Sequence, residues 1–187
     1  MIAGVILAAG ESRRMGQPKQ LLRVGEHTML QRVLAAAAGS KLDRLYVVVG
    51  HLAEGVKASL AHTQVTFVEN PDYAEGLGSS VRTGVAALAP ETTAAMFLLG
   101  DQPFVTSELI DGLLAPSTPD NIVAPVVKGQ RSNPTVFGRR WFADLRLASG
   151  DTGGRHIIEA HPEAVVLVET SADLRDFDTP EDLLGRD

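Results

Sequence analysis

Three basic side chains share a short glycine-bounded loop near the start of the chain, and their types suit the binding of phosphate. Arg13, Arg14 and Lys19 follow an apolar run at residues 2–9. Arginine presents a planar fork of donors and lysine a compact point charge, and both bind phosphate oxygens through charge-assisted hydrogen bonds. Backbone N–H groups of a glycine-rich loop can form a concave nest for the same oxygens. The loop is therefore predicted to bind a triphosphate.

Two familiar glycine motifs do not fit this loop. A P-loop has Ser or Thr directly after Gly-Lys, whereas here two residues separate Gly16 from Lys19. The dinucleotide fingerprint also fails, because Gly10 and Gly16 are not spaced as G-x-G-x-x-G and no helix can begin cleanly before Pro18. A solvated basic turn is the simpler alternative for such a loop taken alone.

A carboxylate follows another apolar run further along the chain. Asp101 comes directly after residues 95–100, and Pro103 prevents simple continuation of regular structure. A carboxylate in that position can hold Mg²⁺ through one or two oxygens while phosphates supply the other ligands. The alternative is an Asx turn, in which the aspartate only shapes the loop. Position alone leaves both interpretations open.

The composition limits the classes of protein to which the chain can belong. Its 187 residues, 44% hydrophobic and 21% charged, suit one domain with a sizeable core. The net charge of −6 argues against binding nucleic acid by general electrostatics. Without cysteine there is no disulfide framework or thiolate chemistry, and the first apolar run is too short to span a membrane. We expect a cytoplasmic protein that binds neither nucleic acid nor membrane.

The fold class follows from alternating apolar runs and helical segments. Short runs rich in valine and leucine suit parallel strands buried on both faces, and the segments between them are long enough for crossover helices. The pattern predicts an α/β fold with a doubly wound, mostly parallel sheet and ligands at the carboxyl ends of its strands. The predicted strands are residues 2–7, 45–49, 65–68, 95–99 and 122–126, and the predicted helices are 28–38, 53–61, 78–88 and 107–114.

Polar loops follow the first, third and fourth predicted strands, at residues 10–19, 70–78 and 100–103. These loops are expected to converge on one edge of the sheet, where they would form a shared nucleotide pocket. Ser79 and Ser80 begin the helix after the second of these loops, where hydroxyls and free N–H groups contact ligands or simply cap the helix. Thr106 and Ser107 are the two candidate N-caps of the helix at 107–114.

Residues 7–22 read L-A-A-G-x-S-x-R-M-G-x-P-K-x-L-L. This pattern resembles the signature of the nucleotidyltransferases typified by molybdenum cofactor cytidylyltransferase and its guanylyltransferase relatives. The resemblance extends to L-G-D-Q-P at 99–103 and to N-P-x-Y-x-x-G-x-x-S-S at 70–80. It implies one Rossmann-like, GT-A-like NTP transferase domain over residues 1–187. The nucleotide-binding half would be residues 1–105 and the acceptor-binding half residues 106–187.

The resemblance also implies an activity and a set of residues. The Ala8-Ala9-Gly10 form resembles the branch that transfers CMP from CTP to the phosphate of molybdenum-molybdopterin and releases pyrophosphate. Catalytic roles are implied for Arg13, Lys19 and Asp101. The implied nucleotide-binding residues are Leu7, Ala8, Ala9, Gly10, Ser12, Arg13, Gly16, Lys19, Asn70, Ser79, Ser80 and Gly100.

The family resemblance further implies a metal site and an acceptor site. The metal is Mg²⁺, with Mn²⁺ as the alternative, and its ligands are Asp101 and Asp178, with Asp176 as an alternative to Asp178. Residues 179–182 also read as a helix start, which is the structural explanation for this acidic segment. The segments R-x-N-P and G-D-x-G supply the implied acceptor-binding residues, for which ordinary loop polarity is the alternative: Arg131, Asn133, Asp151 and Arg155.

Two other functions remain open from the sequence. One is a nucleotidyltransferase of the same superfamily that acts on a sugar or polyol phosphate. The other is a maturation factor that delivers a nucleotide-bearing cofactor without turnover. The cytidylyltransferase interpretation implies CTP and a molybdopterin-type acceptor as partners, together with transient contact with a molybdoenzyme. An α/β dehydrogenase is disfavoured because the dinucleotide fingerprint is missing.

Overall fold

The computed structural model describes residues 1–10 and 19–174, and its elements alternate as the sequence predicts. In chain order they are β1 Ile2–Ala8, β2 Arg23–Val24, β3 His27–Thr28, α1 Met29–Ala38, β4 Arg44–Val49, α2 Ala53–Ser59, β5 Thr66–Glu69, α3 Leu77–Ala86, β6 Ala94–Leu99, α4 Ser107–Leu114, β7 Ile122–Val127, β8 Gln130–Arg131, β9 Thr135–Gly138, α5 Phe142–Leu145, α6 Arg155–Ala160 and β10 Val165–Glu169.

One eight-stranded sheet runs through the described part of the chain in the order β10-β7-β9-β6-β1-β4-β5, with β8 beside β7. β1 pairs in parallel with both β4 and β6, and β7 pairs in parallel with β10. β9 is antiparallel to β6 and β7. The predicted α/β fold with a doubly wound, mostly parallel sheet is therefore confirmed.

Side chains of β1 alternate between two apolar layers, which explains why the strand is apolar throughout. Ile6 packs with α1, α2 and α4, whereas Val5 and Leu7 pack with α3, α5 and α6 on the opposite face. Because helices cover both faces, neither face requires polar residues. Burial of each large aliphatic side chain contributes about 1.5–3 kcal/mol.

The predicted helices are present, with small differences at their ends. Of the two candidate N-caps, Thr106 caps α4, and its hydroxyl accepts a hydrogen bond from Leu109 N at 3.2 Å. Thr28 caps α1: its hydroxyl oxygen accepts a hydrogen bond from the Gln31 amide, and its own amide donates to Gln31 Oε1. α2 ends at Ser59, two residues before the predicted end. No helix of the described residues is long and apolar enough to cross a membrane.

The segment that carries R-x-N-P, for which loop polarity was the alternative interpretation, is part of the sheet. Residues 129–137 contain β8 and the start of β9, and β9 lies between β6 and β7. Val136 and Phe137 are buried on opposite faces of the sheet. The strand has only four residues and directly follows Pro134, so the sequence carries too short an apolar pattern to predict it. β10 was also not predicted.

The order of the strands creates a crevice at one edge of the sheet. The chain proceeds from β1 outward through β4 to β5, and then returns to place β6 on the other side of β1. The helices reached from β1 and β6, α1 and α4, pack on one face of the sheet, whereas α3, which leads from β5 back to β6, lies on the opposite face. Ligands of open α/β sheets bind at such a switch point.

Candidate functional site

A cavity of about 500 Å³ opens at the carboxyl ends of β1 and β6. The described parts of the three predicted loops meet there, because all three follow strand ends at the same edge. The cavity is lined by Leu7, Ala8, Ala9, Gly10, Lys19, Gln20, Tyr73, Ala74, Glu75, Gly76, Leu77, Ser80, Leu99, Gly100, Asp101 and Asp151.

Backbone carbonyls at the end of β1 fix the first loop to its surroundings. Gln20 is buried, and its Nε2 donates to the carbonyl oxygen of Ala8 at 3.0 Å. The amide of His51 donates to Ala9 at 3.2 Å. Lys19 stands directly before Gln20 in a short 3-10 turn and lines the cavity. The return of the loop is thus tied to the strand from which it departs.

Gly100 lets the end of β6 approach β1 closely. Its amide donates to the carbonyl oxygen of Leu7 at 3.0 Å, and a Cβ at this position would lie 3.1 Å from the same oxygen. Asp101 follows in a turn, half-buried, and lines the cavity. The carboxylate therefore stands at the crevice between β1 and β6.

A buried amide organises the start of α3. Asn70 Nδ2 donates to the hydroxyl oxygens of Ser79 at 2.9 Å and Ser80 at 3.1 Å. The Ser79 hydroxyl in turn donates to the carbonyl oxygen of Gly76 at 2.8 Å. Ser80 lines the cavity, whereas Asn70 and Ser79 are buried behind it and are not among its lining residues. This network sets the orientation of the Ser80 hydroxyl.

A second cavity of about 150 Å³ adjoins the first. All four predicted acceptor residues, from segments distant in sequence, line it. Its floor is apolar and includes Phe97 and Phe137, whose rings meet edge-on with centroids 5.9 Å apart. Its polar lining comprises Arg131, Ser132, Asn133, Thr135, Asp151, Thr152 and Arg155.

The two cavities share a wall formed by Leu7, Leu77, Leu99 and Asp151. Asp151 is the charged member of this wall. The loop that carries it packs backbone to backbone against the start of α3, because a Cβ at Gly78 would lie only 2.6 Å from Ser149 backbone atoms. A ligand in the larger cavity and a second ligand in the smaller cavity would therefore lie next to each other at these four residues.

Charges of both signs line the first cavity. Glu75 pairs with Arg82 at 2.6 Å between Oε2 and Nη2. Asp101 and Asp151 add two further carboxylates, and Lys19 adds a cation. A polyphosphate entering this cavity would require positive charge to offset the carboxylates.

Several predicted residues fall outside the described ranges. Ser12, Arg13 and Gly16 of the first loop do so, together with Asp178 and its alternative Asp176. Their roles stay predictions. A larger groove of about 1290 Å³ lies along α1 between the end of α2 and the start of α4, and no predicted site residue lines it.

Sequence reasoning missed part of the cavity lining. Gln20, Tyr73 and Glu75 were not among the predicted site residues, nor were Leu77 and Leu99 of the shared wall. Tyr73 stands within the N-P-x-Y segment, which could have been read as its signal. The leucines carry no such signal, since only the approach of two loops distant in sequence makes them a wall.

Comparison with known proteins adds the family. The model of the MobA-like NTP transferase domain matches residues 4–165. The bifunctional protein GlmU of Synechococcus elongatus is 34% identical over 142 residues, which is 74% of this chain and 31% of that protein. The chain thus spans about a third of the length of this curated relative.

Solved structures agree in fold over nearly the full chain. The Rv0371c homologue from Mycobacterium sp. strain JC1 has a TM-score of 0.86 and 32% identity, covering 97% of this chain and 92% of its own. Rv0371c of Mycobacterium tuberculosis H37Rv in complex with manganese has a TM-score of 0.84 and 28% identity, covering 97% and 95%. The family match, the fold and the crevice agree, and the chain belongs to the MobA-like NTP transferase family.

Proposed function

We propose that this chain transfers CMP from CTP to the phosphate of molybdenum-molybdopterin, giving a cytosine dinucleotide cofactor and pyrophosphate. The observation that carries the proposal is the pair of adjoining cavities with a common wall at the carboxyl ends of β1 and β6. Transfer between two substrates requires that both be bound with their reacting atoms adjacent. Family membership supports the nucleoside triphosphate as the first substrate.

The larger cavity suits the nucleotide. Lys19 lines it, and Arg13 is predicted to join Lys19 in offsetting phosphate charge. Support for CTP comes from Ala9, whose methyl group fills space that a glycine would leave open. Ala9 lines the larger cavity, so the residue at this position helps to shape the base pocket.

The donor set fits a divalent metal. Asp101 and Asp151 both line the larger cavity, and carboxylate oxygens are hard ligands of the kind that Mg²⁺ and Mn²⁺ prefer. Mg²⁺ at nucleotide sites binds through one or two carboxylates and takes its other ligands from phosphates and water. Asp101 is the proposed principal ligand and Asp178 the proposed second. When bound, the metal would polarise and neutralise phosphate oxygens.

The smaller cavity has an apolar floor with polar groups around it, which a flat heterocycle can match. Its floor contains Phe97 and Phe137, and its polar groups surround that floor. A pterin presents an apolar face to such a floor and nitrogen and oxygen atoms to Arg131, Asn133 and Arg155.

The reaction needs positioning and charge stabilisation rather than a protein nucleophile. A phosphate oxygen of the acceptor attacks the α-phosphorus of CTP, the bond from that phosphorus to the bridging oxygen breaks, and pyrophosphate leaves. Lys19 and Arg13 offset the charge that develops on the transferred group and the leaving pyrophosphate. The wall of Leu7, Leu77 and Leu99 keeps water from the junction of the two substrates.

Pyrophosphate release tests the proposal. Purified protein with Mg²⁺ is given CTP, GTP, ATP or UTP, with and without molybdenum-loaded molybdopterin and with a panel of sugar and polyol phosphates. Release that requires both CTP and the pterin is expected. Release with a sugar or polyol phosphate instead would assign the other transferase function. CTP binding without release under any condition would favour a cofactor-delivery protein.

A further inference from the structure

Arg82 joins two loops that belong to different cavities. It lies on α3, half-buried, and its Nη2 bonds Glu75 Oε2 at 2.6 Å. Its Nη1 donates to the carbonyl oxygen of Ala148 at 2.7 Å, across 66 residues of sequence. Glu75 lines the larger cavity, and Ala148 begins the segment that leads to Asp151. One planar guanidinium therefore connects the nucleotide side of the site with the acceptor side.

The two loops touch through backbone as well as through this arginine. Gly76 has φ +99°, and a Cβ there would lie 2.9 Å from the carbonyl carbon and oxygen of Gly150 and would collide with the Asp151 carboxylate. Gly78 is equally close to Ser149. Ala148 itself is fully buried in the apolar layer around α3. The segment 148–151 is thus held against α3 at one end and exposes Asp151 at the other.

We infer that Arg82 is a positioning residue that holds residues 148–155 against the loop at residues 70–78. Through this contact, nucleotide binding in the larger cavity would order residues 148–155 beside the smaller cavity. The inference rests on the proposed nucleotide function and extends it to the order in which the site is completed. A nucleotide in the larger cavity that contacts Glu75 and Gly76 restricts the loop to which Arg82 is bonded. The acceptor loop then becomes more ordered before the acceptor arrives.

Such a link is reciprocal by thermodynamic necessity. If nucleotide binding orders residues 148–155, acceptor binding must raise nucleotide affinity by the same factor. The link depends on the bridge rather than on charge alone. Arg82→Lys retains a cation but cannot present two parallel donors, so it should restore only part of the coupling. Arg146 lies in the same region but is exposed, which makes Arg146→Met the matched control.

Amide hydrogen exchange of the full chain tests the inference without requiring the acceptor. Wild type, Arg82→Met, Glu75→Gln and Arg146→Met are compared alone and with Mg²⁺ plus CTP, GTP, ATP or UTP. In the ligand-free state Arg82→Met should speed exchange at residues 148–155 about tenfold, because a charged hydrogen bond is lost. Glu75→Gln and Arg146→Met should leave that exchange unchanged.

With nucleotide, wild type and Arg146→Met should gain protection both at residues 7–10 and 99–101 and at 148–155. Arg82→Met should keep the first protection and lose the second, and Glu75→Gln, which keeps an acceptor for Arg82 but loses the charge, should keep the first and lose part of the second. Protection of 148–155 that persists in Arg82→Met, or that is absent from wild type, overturns the inference. If no nucleotide protects any segment, the proposed function fails instead, and unchanged ligand-free exchange in Arg82→Met then overturns the positioning role separately. Glu75→Gln keeps the test decisive should Arg82→Met fail to fold.

In steady-state kinetics, the same role predicts that Arg82→Met changes KM rather than kcat. Arg82→Met should raise KM for the acceptor at saturating nucleotide and, by the same reciprocity, KM for the nucleotide at saturating acceptor, while the dissociation constant of the nucleotide measured without acceptor changes little. A purely structural defect would instead lower the active fraction and reduce kcat without altering either KM.

Discussion

Lys19 and Asp101 bring opposite charges to the larger cavity, and each suits a different part of a nucleotide–metal complex. Lys19 approaches from the return of the first loop, and Asp101 from the turn after β6. Neither side chain belongs to the apolar layers that stabilise the sheet. Their removal should therefore affect chemistry far more than folding.

Lys19→Ala should lower kcat/KM by about 10²- to 10³-fold, as expected when one preorganised donor to a developing charge is lost. Pyrophosphate release and thermal unfolding of the same preparation measure both consequences. Lys41→Ala is the control, because Lys41 is 80% exposed and precedes the amino end of β4, at the opposite edge of the sheet. A rate for Lys19→Ala near that of the control would remove this residue from the mechanism.

Arg131→Ala should separate the two substrates. Arg131 is exposed and lines only the smaller cavity, so its loss should raise KM for the acceptor about tenfold or more. The CTP dissociation constant, measured by calorimetry, should change by less than about twofold, since this side chain does not line the larger cavity. An equal loss of CTP affinity would mean that the β7–β9 connection serves the nucleotide instead.

At the start of α3, Gly78 determines how closely this helix approaches the loop that carries Asp151. Gly78→Ala would push a Cβ into the backbone of Ser149 and displace the loop that carries Asp151. It should lower stability and weaken use of the acceptor. Chemical denaturation and acceptor kinetics measure the two effects.

The matched control is Gly112→Ala in α4. Apart from its chain neighbours and the backbone of its own helix, no atom of the described residues lies within 4 Å of a Cβ at this position, and the residue is exposed. Replacing a helical glycine there should stabilise the protein by about 0.5–1 kcal/mol. If both variants gained stability alike, the close contact between residues 78 and 149 would be wrong.

The sequence predicted those elements whose signals are local. Continuous apolar runs indicated β1, β4 and β6, and a helical stripe with Thr106 at its start indicated α4. β9 escaped prediction because only four residues form it and its stability comes from insertion between two distant strands. Loop convergence was predictable for the same reason that the fold was, since parallel strands end at one edge.

The site was predictable where motifs carry polar chemistry and unpredictable where geometry alone creates it. Arg131, Asn133 and Arg155 were grouped from motif resemblance, and the structure brings them to one cavity. The connection made by Arg82 could not be read from the sequence, because its acceptor at Ala148 is a main-chain carbonyl 66 residues away. No side-chain pattern records such a partner.

Across the chain as a whole, a net charge of −6 contrasts with a site that must attract a polyanion. Under the proposed function, binding therefore depends on local cations and a divalent metal rather than on the overall field. If so, nucleotide should stabilise the protein strongly only when a metal is present.

CTP with Mg²⁺ at about 100 times its dissociation constant should raise the Tm by roughly 5–10 °C, as ligand linkage predicts for a domain of this size. Chelation with EDTA should remove most of the shift, and Asp101→Asn should do so even with Mg²⁺ present. Differential scanning calorimetry measures all three conditions. A full shift in EDTA would show that Asp101 and the metal are not needed to bind the nucleotide.

The most direct test of the central claim follows the transferred group itself. CTP labelled at the α-phosphate is incubated with the protein, Mg²⁺ and molybdenum-loaded molybdopterin, and the label is located by chromatography and mass spectrometry. We predict that the label enters a pterin cytosine dinucleotide, with one pyrophosphate released for each label transferred. Label that remains in CTP, or that enters a sugar or polyol phosphate in preference to the pterin, would contradict the proposed reaction.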